Sequence, residues 1–132
     1  MTPTETLART LYGEARGDGA DGMTAVASVV LNRVNSGVTW WGHDIETVCL
    51  KPWQFSCWIE GNADYDSMLA ADESDPSYAL ALDIAAQAVA GTLADTVNGA
   101  TTYKVTSLPW PRAWGRECQP VAVVGHQSFY CL

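Results

Sequence analysis

Apolar and polar residues follow a helical period in the first segment of the chain. In residues 4–16, Leu7, Leu11 and Glu14 occupy positions i, i+4 and i+7, which places them on one stripe of a helix. Gly17 follows directly and favours the end of that helix. The pattern therefore predicts a helix whose apolar stripe carries one carboxylate at its C-terminal end.

Two further segments have the same period. Residues 21–35 predict a second helix and residues 76–90 a third. Asp75 can cap the third helix, Pro76 suits its first turn, and Gly91 ends it. The apolar positions that define these two helices are Met23, Val26, Val30 and Val34 in the second, and Tyr78, Leu82, Ala85 and Val89 in the third.

The rest of the chain is less regular. Residues 40–60 are rich in aromatic side chains and predict a loop with short helical turns. Residues 100–105 and 120–124 carry β-branched and aromatic residues typical of strands, and 128–131 can return as a paired strand. With no repeat or linker in between, we expect one domain over 1–132, of the α+β class, with a helical body and a small antiparallel sheet.

Composition and charge narrow the class of protein. The chain has 132 residues, of which 48% are hydrophobic and 17% charged, as in globular proteins. No apolar run is long enough to span a membrane, and residues 1–20 do not have the pattern of a cleavable signal peptide. We therefore expect export by another route, or a mature domain without its leader. The net charge of −8 argues against nucleic acid as a partner.

Acidic residues are concentrated in residues 60–75, which contain no Lys or Arg. We interpret this segment as a solvated loop, with a cation site as the alternative.

Four cysteines are present, and none belongs to a Cys-x-x-Cys motif or to a zinc-like spacing with histidine. Pairing of Cys49 with Cys57 and of Cys118 with Cys131 is favoured because each pair closes a short loop. Free buried thiols are the equally compatible alternative. Disulfides, if formed, would indicate an oxidising compartment.

Glu14 is the most informative single residue. A carboxylate on an apolar stripe is desolvated, and the negative end of the helix adds to this. Both effects favour the protonated form that a general acid uses. The structural alternative is an ion pair with Arg16 or Arg33.

Tryptophan is concentrated in residues 40–58, which hold four of the six in the chain. A flat indole matches the apolar face of a sugar ring, although the same residues can fill a core. Trp110 and Trp114 form a second cluster, in a loop. A nucleophilic Cys57–His126 pair is the weaker chemical hypothesis, typical of peptide-cleaving wall enzymes.

Five segments, in order, resemble the SleB-like cell wall hydrolases, which include spore cortex-lytic enzymes and related phage and bacterial wall enzymes. They are 11–18 (Leu-Tyr-Gly-Glu-Ala-Arg-Gly-Asp), 25–34 (Ala-Val-Ala-Ser-Val-Val-Leu-Asn-Arg-Val), 54–56 (Gln-Phe-Ser), 98–103 (Asn-Gly-Ala-Thr-Thr-Tyr) and 124–130 (Val-Gly-His-Gln-Ser-Phe-Tyr). The first two segments are specific to this family. The other three are weak indications alone, but their occurrence in the same order as in the family strengthens the resemblance.

This resemblance implies a lysozyme-like α+β fold and cleavage between N-acetylmuramic acid and N-acetylglucosamine, with Glu14 as the catalytic acid. Two positions depart from the family pattern. The histidine of the closing motif falls at Gln127, while His126 lies one place early. The second acid of the first motif is Asp18, to which we assign no nucleophilic role.

A single acid suits lytic transglycosylation, the activity that the resemblance implies for cortex-lytic enzymes, whereas a hydrolytic glycosidase ordinarily uses two carboxylates. Muramidase-type hydrolysis is the close alternative. Two further alternatives come from other functional classes: a cysteine-dependent amidase or peptidase, and a non-catalytic glycan-binding module. We expect peptidoglycan glycan strands as the partner, a monomer, and no need for a metal or organic cofactor. The candidate substrate-binding residues are Gln54, Ser56, Trp58, Tyr103 and Tyr130.

Overall fold

The computed structural model describes residues 1–132 and contains five α-helices and three β-strands. The elements are α1 (Pro3–Ala15), α2 (Gly19–Asn35), α3 (Ile45–Leu50), α4 (Tyr65–Ala70), α5 (Pro76–Ala90), β1 (Thr102–Val105), β2 (Ala122–Val124) and β3 (Gln127–Tyr130). The α+β class, with a helical body and a small antiparallel sheet, is thereby confirmed. None of the helices has the length and apolar character needed to cross a membrane.

Helix α1 lies at the centre of the helical body and contacts α2, α3, α4 and α5. Its stripe residues Leu7 and Leu11 are fully buried, as the periodicity predicts. Burying a side chain of this size contributes about 1.5–3 kcal/mol, so this stripe is a major source of stability. The largest fully buried partners from the other elements are Met23, Val26, Val30, Val48, Phe55 and Met68.

The sheet has the strand order β1-β3-β2, with both pairs antiparallel. A second cluster of buried residues joins it to α2, where Ala25 and Val29 pack with Val97, Ala100 and Phe129. Helix α2 therefore contacts the helical core and also the sheet. This arrangement brings β1 close to the C-terminal end of α1.

The acidic segment 60–75 differs from the solvated loop expected from its charge, because it contains α4. Met68 in this helix is fully buried in the helical core. Arg9 donates hydrogen bonds of 2.8–3.1 Å to the carbonyl oxygens of Met68, Leu69 and Ala71. A cation that satisfies the free carbonyls at the end of a helix stabilises that end, so one long-range contact holds this short helix.

The expected disulfides are not formed, and all four cysteines are free thiols. Cys49 and Cys57 are buried in the helical core, whereas Cys118 and Cys131 are exposed. Burial raises the pKa of the Cys49 thiol to about 12. The prediction of two local pairs was therefore wrong, since loop length alone says nothing about what each side chain packs against.

Candidate active site

A cleft of about 370 Å³ opens where the end of α1 meets β1 and the aromatic segment. Its ten lining residues are Glu14, Arg33, Trp40, Trp41, Trp53, Gln54, Ser56, Thr102, Tyr103 and Trp114. Glu14 is the one acidic residue among them. The cleft thus combines a single carboxylate with four tryptophans and several hydroxyl and amide groups.

Both carboxylate oxygens of Glu14 accept hydrogen bonds from the protein. The Tyr103 hydroxyl donates to Oε1 at 2.7 Å, and the backbone N–H of Cys57 donates to Oε2 at 3.3 Å. Glu14 lies in the last turn of α1 and its side chain is half-buried. The carboxylate is therefore held in one orientation while it remains in contact with the cleft.

Gly13 explains how the Cys57 backbone comes so close to α1. A Cβ atom built at position 13 would lie 2.5 Å from the Cβ atom of Cys57, closer than real Cβ contacts allow. Only glycine leaves room for the short 3₁₀ turn Ser56–Trp58 to pack against the helix here. The glycine beside Glu14 thus permits the hydrogen bond to that carboxylate.

Tyr103 serves as a donor because its phenol stays protonated. Burial raises the pKa of Tyr103 well above its usual value, and the adjacent Glu14 carboxylate raises it further. The ring also packs against Phe129, its cross-strand neighbour, with centroids 5.4 Å apart. The sheet therefore fixes the donor that orients the acid.

Arg33 is a buried cation in the wall of the cleft, with only 7% of its surface exposed. Its Nε donates to the Thr101 carbonyl at 2.7 Å, and its Nη1 donates to Oε1 of Gln54. The guanidinium also lies over the rings of Trp41 and Phe55, 5.5 and 5.4 Å from their centroids. Burial lowers the pKa of Arg33 from its ordinary value.

Glu14 does not form the ion pair that was the structural alternative to catalysis. Arg16 instead binds Asp64, with Nη2 and Oδ1 2.8 Å apart. Arg33 uses its donors on Gln54 and the Thr101 carbonyl. The position of Glu14 is therefore explained by hydrogen bonds around the cleft and not by a neighbouring cation.

The other carboxylates considered from the sequence have different partners. Asp18 lies 2.7 Å from Nδ1 of His126, and its carboxylate packs so closely on Gly125 that a Cβ there would clash. Asp44 caps α3 by accepting from the Thr47 backbone. Glu46 borders a separate depression that it shares with Asp44. None of these three acids lines the cleft that contains Glu14.

Three of the five candidate substrate-binding residues, Gln54, Ser56 and Tyr103, line the cleft together. Trp58 and Tyr130 do not. The indole N–H of Trp58 donates to Thr10 at 2.8 Å, which turns the ring towards α1.

Tyr130 is only 5% exposed and contacts the rings of Trp110 and Trp114, with centroids 5.0 and 5.9 Å apart. Tyr130 therefore packs against Trp114, which lines the cleft, and does not line the cleft itself.

Four residues that line the cleft were not predicted as site residues from the sequence, namely Arg33, Trp40, Trp41 and Thr102. Two signals were available for Arg33. It belongs to the family-like segment 25–34, and it follows Val26 by seven positions and thus lies on the buried stripe of α2. An arginine on such a stripe needs polar partners, which indicates a polar site nearby. Trp40 and Trp41 lie in the segment selected for its tryptophans, but nothing local separates them from Trp58.

The Cys57–His126 pair is not assembled. Cys57 is buried beside Glu14, and burial together with that carboxylate raises its pKa, which disfavours the thiolate. His126 is exposed and binds Asp18. A cysteine nucleophile activated by this histidine is therefore not supported by the structure.

Comparison with known proteins agrees with the resemblance. The profile of the cell wall hydrolase family matches residues 17–130, starting three residues after Glu14. The spore cortex-lytic enzyme of Bacillus subtilis (strain 168) is 38% identical over 55 residues, which are 42% of this chain and 17% of that enzyme. No solved structure matches. Since the family profile spans most of the sequence, the chain belongs to the cell wall hydrolase family.

Proposed function

We propose that this chain cleaves the glycan strand of peptidoglycan by lytic transglycosylation, with Glu14 as its catalytic acid and base. The observation that carries this proposal is that Glu14 is the one carboxylate lining the cleft. Membership of the cell wall hydrolase family supports the substrate class. The partial similarity to a spore cortex-lytic enzyme supports it further.

The proposed reaction uses one carboxyl group twice. Protonated Glu14 gives its proton to the oxygen of the bond between N-acetylmuramic acid and N-acetylglucosamine, and the bond from C1 to that oxygen breaks. The N-acetyl group of the muramic residue stabilises the oxocarbenium-like centre at C1. The Glu14 carboxylate then takes the proton from the C6 hydroxyl as that oxygen attacks C1, which yields a 1,6-anhydro sugar.

The hydrogen bonds to Glu14 orient the carboxyl group and favour the ionised form that it has after the first proton transfer. A carboxyl group that must first donate and then accept a proton needs a fixed direction towards the reacting oxygen. The donors from Tyr103 and from the Cys57 backbone contact the two oxygens at 2.7 and 3.3 Å. They also stabilise the negative charge that Glu14 carries after the first proton transfer.

The aromatic side chains of the cleft support binding of a sugar polymer. Trp40 and Trp53 are 58% and 82% exposed, and both line the same cleft, so they offer apolar surface that a ligand can cover. Their faces can stack on the apolar faces of sugar rings, while Gln54 and Ser56 offer polar groups to the hydroxyl and acetamido substituents.

Replacement of the acid tests the proposal. We expect Glu14→Gln to remain folded and to lower the rate of wall lysis by roughly 10²–10⁴-fold, the usual contribution of general acid catalysis. Asp18→Asn and Glu46→Gln are matched controls, because each removes a carboxylate outside the cleft, and we expect both to keep their activity. If Glu14→Gln retained more than about a tenth of the wild-type rate, the assignment would be wrong.

A further inference from the structure

The contact between Arg33 and Gln54 determines which end of the Gln54 amide faces the cleft. A guanidinium has five N–H donors and no acceptor, so its partner atom must be the amide oxygen. Nη1 of Arg33 indeed donates to Oε1 of Gln54. The amide nitrogen Nε2 forms no hydrogen bond within the protein, and Gln54 lines the cleft. Gln54 therefore presents a donor, and not an acceptor, to whatever occupies the site.

Arg33 is held firmly enough to impose this orientation. It is 93% buried, since only 7% of its surface is exposed, and its Nε is fixed by the Thr101 carbonyl at 2.7 Å. It forms no ion pair with a carboxylate, so Gln54 Oε1 is one of the few acceptors that offset its charge. Rotating the amide would place two N–H donors against the cation and leave that charge poorly compensated.

We propose that Arg33 is a positioning residue that makes Gln54 a donor for the acetamido carbonyl of the bound sugar. This inference rests on the proposed glycan substrate. Among the substituents of an N-acetylated strand, the acetamido carbonyl is a neutral group that can only accept hydrogen bonds. Hydroxyl groups can donate or accept, so a fixed donor does not discriminate between them.

The proposal makes the site selective for N-acetylated sugars. De-N-acetylation replaces the amide by an ammonium group, which has donors and no acceptor. Such a group would face the donor of Gln54 and the nearby positive charge of Arg33. A site built around a hydrogen-bond donor rejects a ligand that lacks the acceptor, because the donor is left unpaired.

The test compares the binding of two ligands to variants that also carry Glu14→Gln, so that affinity is measured while the ligand is not cleaved. The ligands are soluble uncrosslinked peptidoglycan strands and the same strands after chemical de-N-acetylation, with a re-acetylated sample as the handling control. The quantity is the ratio of the two dissociation constants. We expect Gln54→Glu to reduce the preference for the acetylated strand by roughly 3–10-fold, because the carboxylate still accepts from Arg33 but offers no N–H to the cleft.

Gln119→Glu is the matched control, since it adds the same charge at an exposed loop position, and its preference should equal that of the parent. Gln54→Glu should not lower the melting temperature, because it places a carboxylate beside an unpaired buried cation. Arg33→Lys tests the positioning step. It keeps the charge but replaces the rigid planar guanidinium by a single flexible ammonium, so the preference should fall while Gln54 is intact.

The outcomes separate this inference from the proposed function. An undiminished preference for acetylated strands in a folded Gln54→Glu protein would overturn the inference, and it would do so whether or not Arg33→Lys folds. Wall lysis by the Glu14→Gln protein would contradict the proposed function alone, since the ratio of dissociation constants does not depend on which residue is the acid.

Discussion

The Tyr103 hydroxyl lies 2.7 Å from Oε1 of Glu14 and donates a hydrogen bond to it across 89 positions of the sequence. This bond joins β1 of the sheet to the last turn of α1. The helical body supplies the carboxylate, and the sheet supplies the group that orients it. Activity should therefore depend on how the sheet is placed against the helices, although no sheet residue needs to react.

The first prediction concerns removal of the Tyr103 hydroxyl. We expect Tyr103→Phe to fold, since the ring still packs on Phe129, and to reduce kcat for wall digestion by about tenfold because a hydrogen bond to a charged group is lost. Tyr65→Phe, which removes a hydroxyl on α4 away from the cleft, is the matched control. Equal rates for Tyr103→Phe and the wild type would show that Glu14 needs no orientation from the sheet.

The main helices were predictable because each has a wide apolar stripe. The segments predicted as 4–16, 21–35 and 76–90 correspond to α1, α2 and α5 within two residues at each end. The short helix α4 was not predicted, since its stability comes from the burial of Met68 and from the contact of Arg9 with its last carbonyls. Such contacts lie about 60 positions away and leave no local pattern.

The site was predictable only where a motif marked it. Glu14, Gln54 and Tyr103 lie in segments that resemble a known family, and the structure brings them into one cleft. Trp58 was selected for its residue type alone, and its indole instead binds Thr10 in the helical body. Residue type shows what a side chain can do, but the direction in which it points depends on tertiary contacts.

The state of the cysteines is directly measurable. In the native protein we expect an alkylating reagent to modify the exposed Cys118 and Cys131 and to spare Cys49 and Cys57, which are buried and whose thiols have raised pKa values. Unfolding without reductant should expose all four to the reagent, as mass spectrometry would show.

Wall digestion should survive the native modification, because neither exposed thiol lines the cleft. Failure to alkylate the unfolded chain would instead reveal disulfides. Loss of activity on modification would favour a cysteine-dependent enzyme.

Trp53 is expected to contribute to glycan binding. Its side chain is 82% exposed and its backbone has a φ of 69°, in the left-handed region that favours glycine. Trp53→Gly therefore removes the ring without disturbing the backbone, and it should raise the melting temperature or leave it unchanged. In the Glu14→Gln background we expect binding of soluble peptidoglycan strands to weaken roughly 3–10-fold, as for loss of one aromatic contact.

Trp110→Phe serves as the comparison and should bind the strands as its parent does, since Trp110 does not line the cleft and a phenyl ring can keep the contact with Trp114. Titration calorimetry gives both affinities. Unchanged binding by Trp53→Gly would remove Trp53 from the proposed glycan site.

The last prediction concerns the reaction itself. A hydrolytic glycosidase ordinarily uses a second carboxylate, about 6.5–9.5 Å from the acid if it inverts, or about 5–5.5 Å if it retains configuration. Asp18, Asp44 and Glu46 each have another partner or border another depression, so none is placed in the cleft with Glu14. In the proposed reaction, the C6 hydroxyl of the muramic sugar takes the place of water as the nucleophile. Transglycosylation conserves the atoms of the strand, whereas hydrolysis adds one water for each cut.

Mass spectrometry of the earliest digestion products distinguishes the two reactions. We expect new muramic ends that have the 1,6-anhydro mass and resist borohydride reduction. Reducible ends from the first time point would establish a lysozyme-type hydrolase and would contradict the argument from a single acid. Asp18→Asn, Asp44→Asn and Glu46→Gln would then identify the missing carboxylate, because the variant that lost hydrolysis while it stayed folded would mark the residue that activates water.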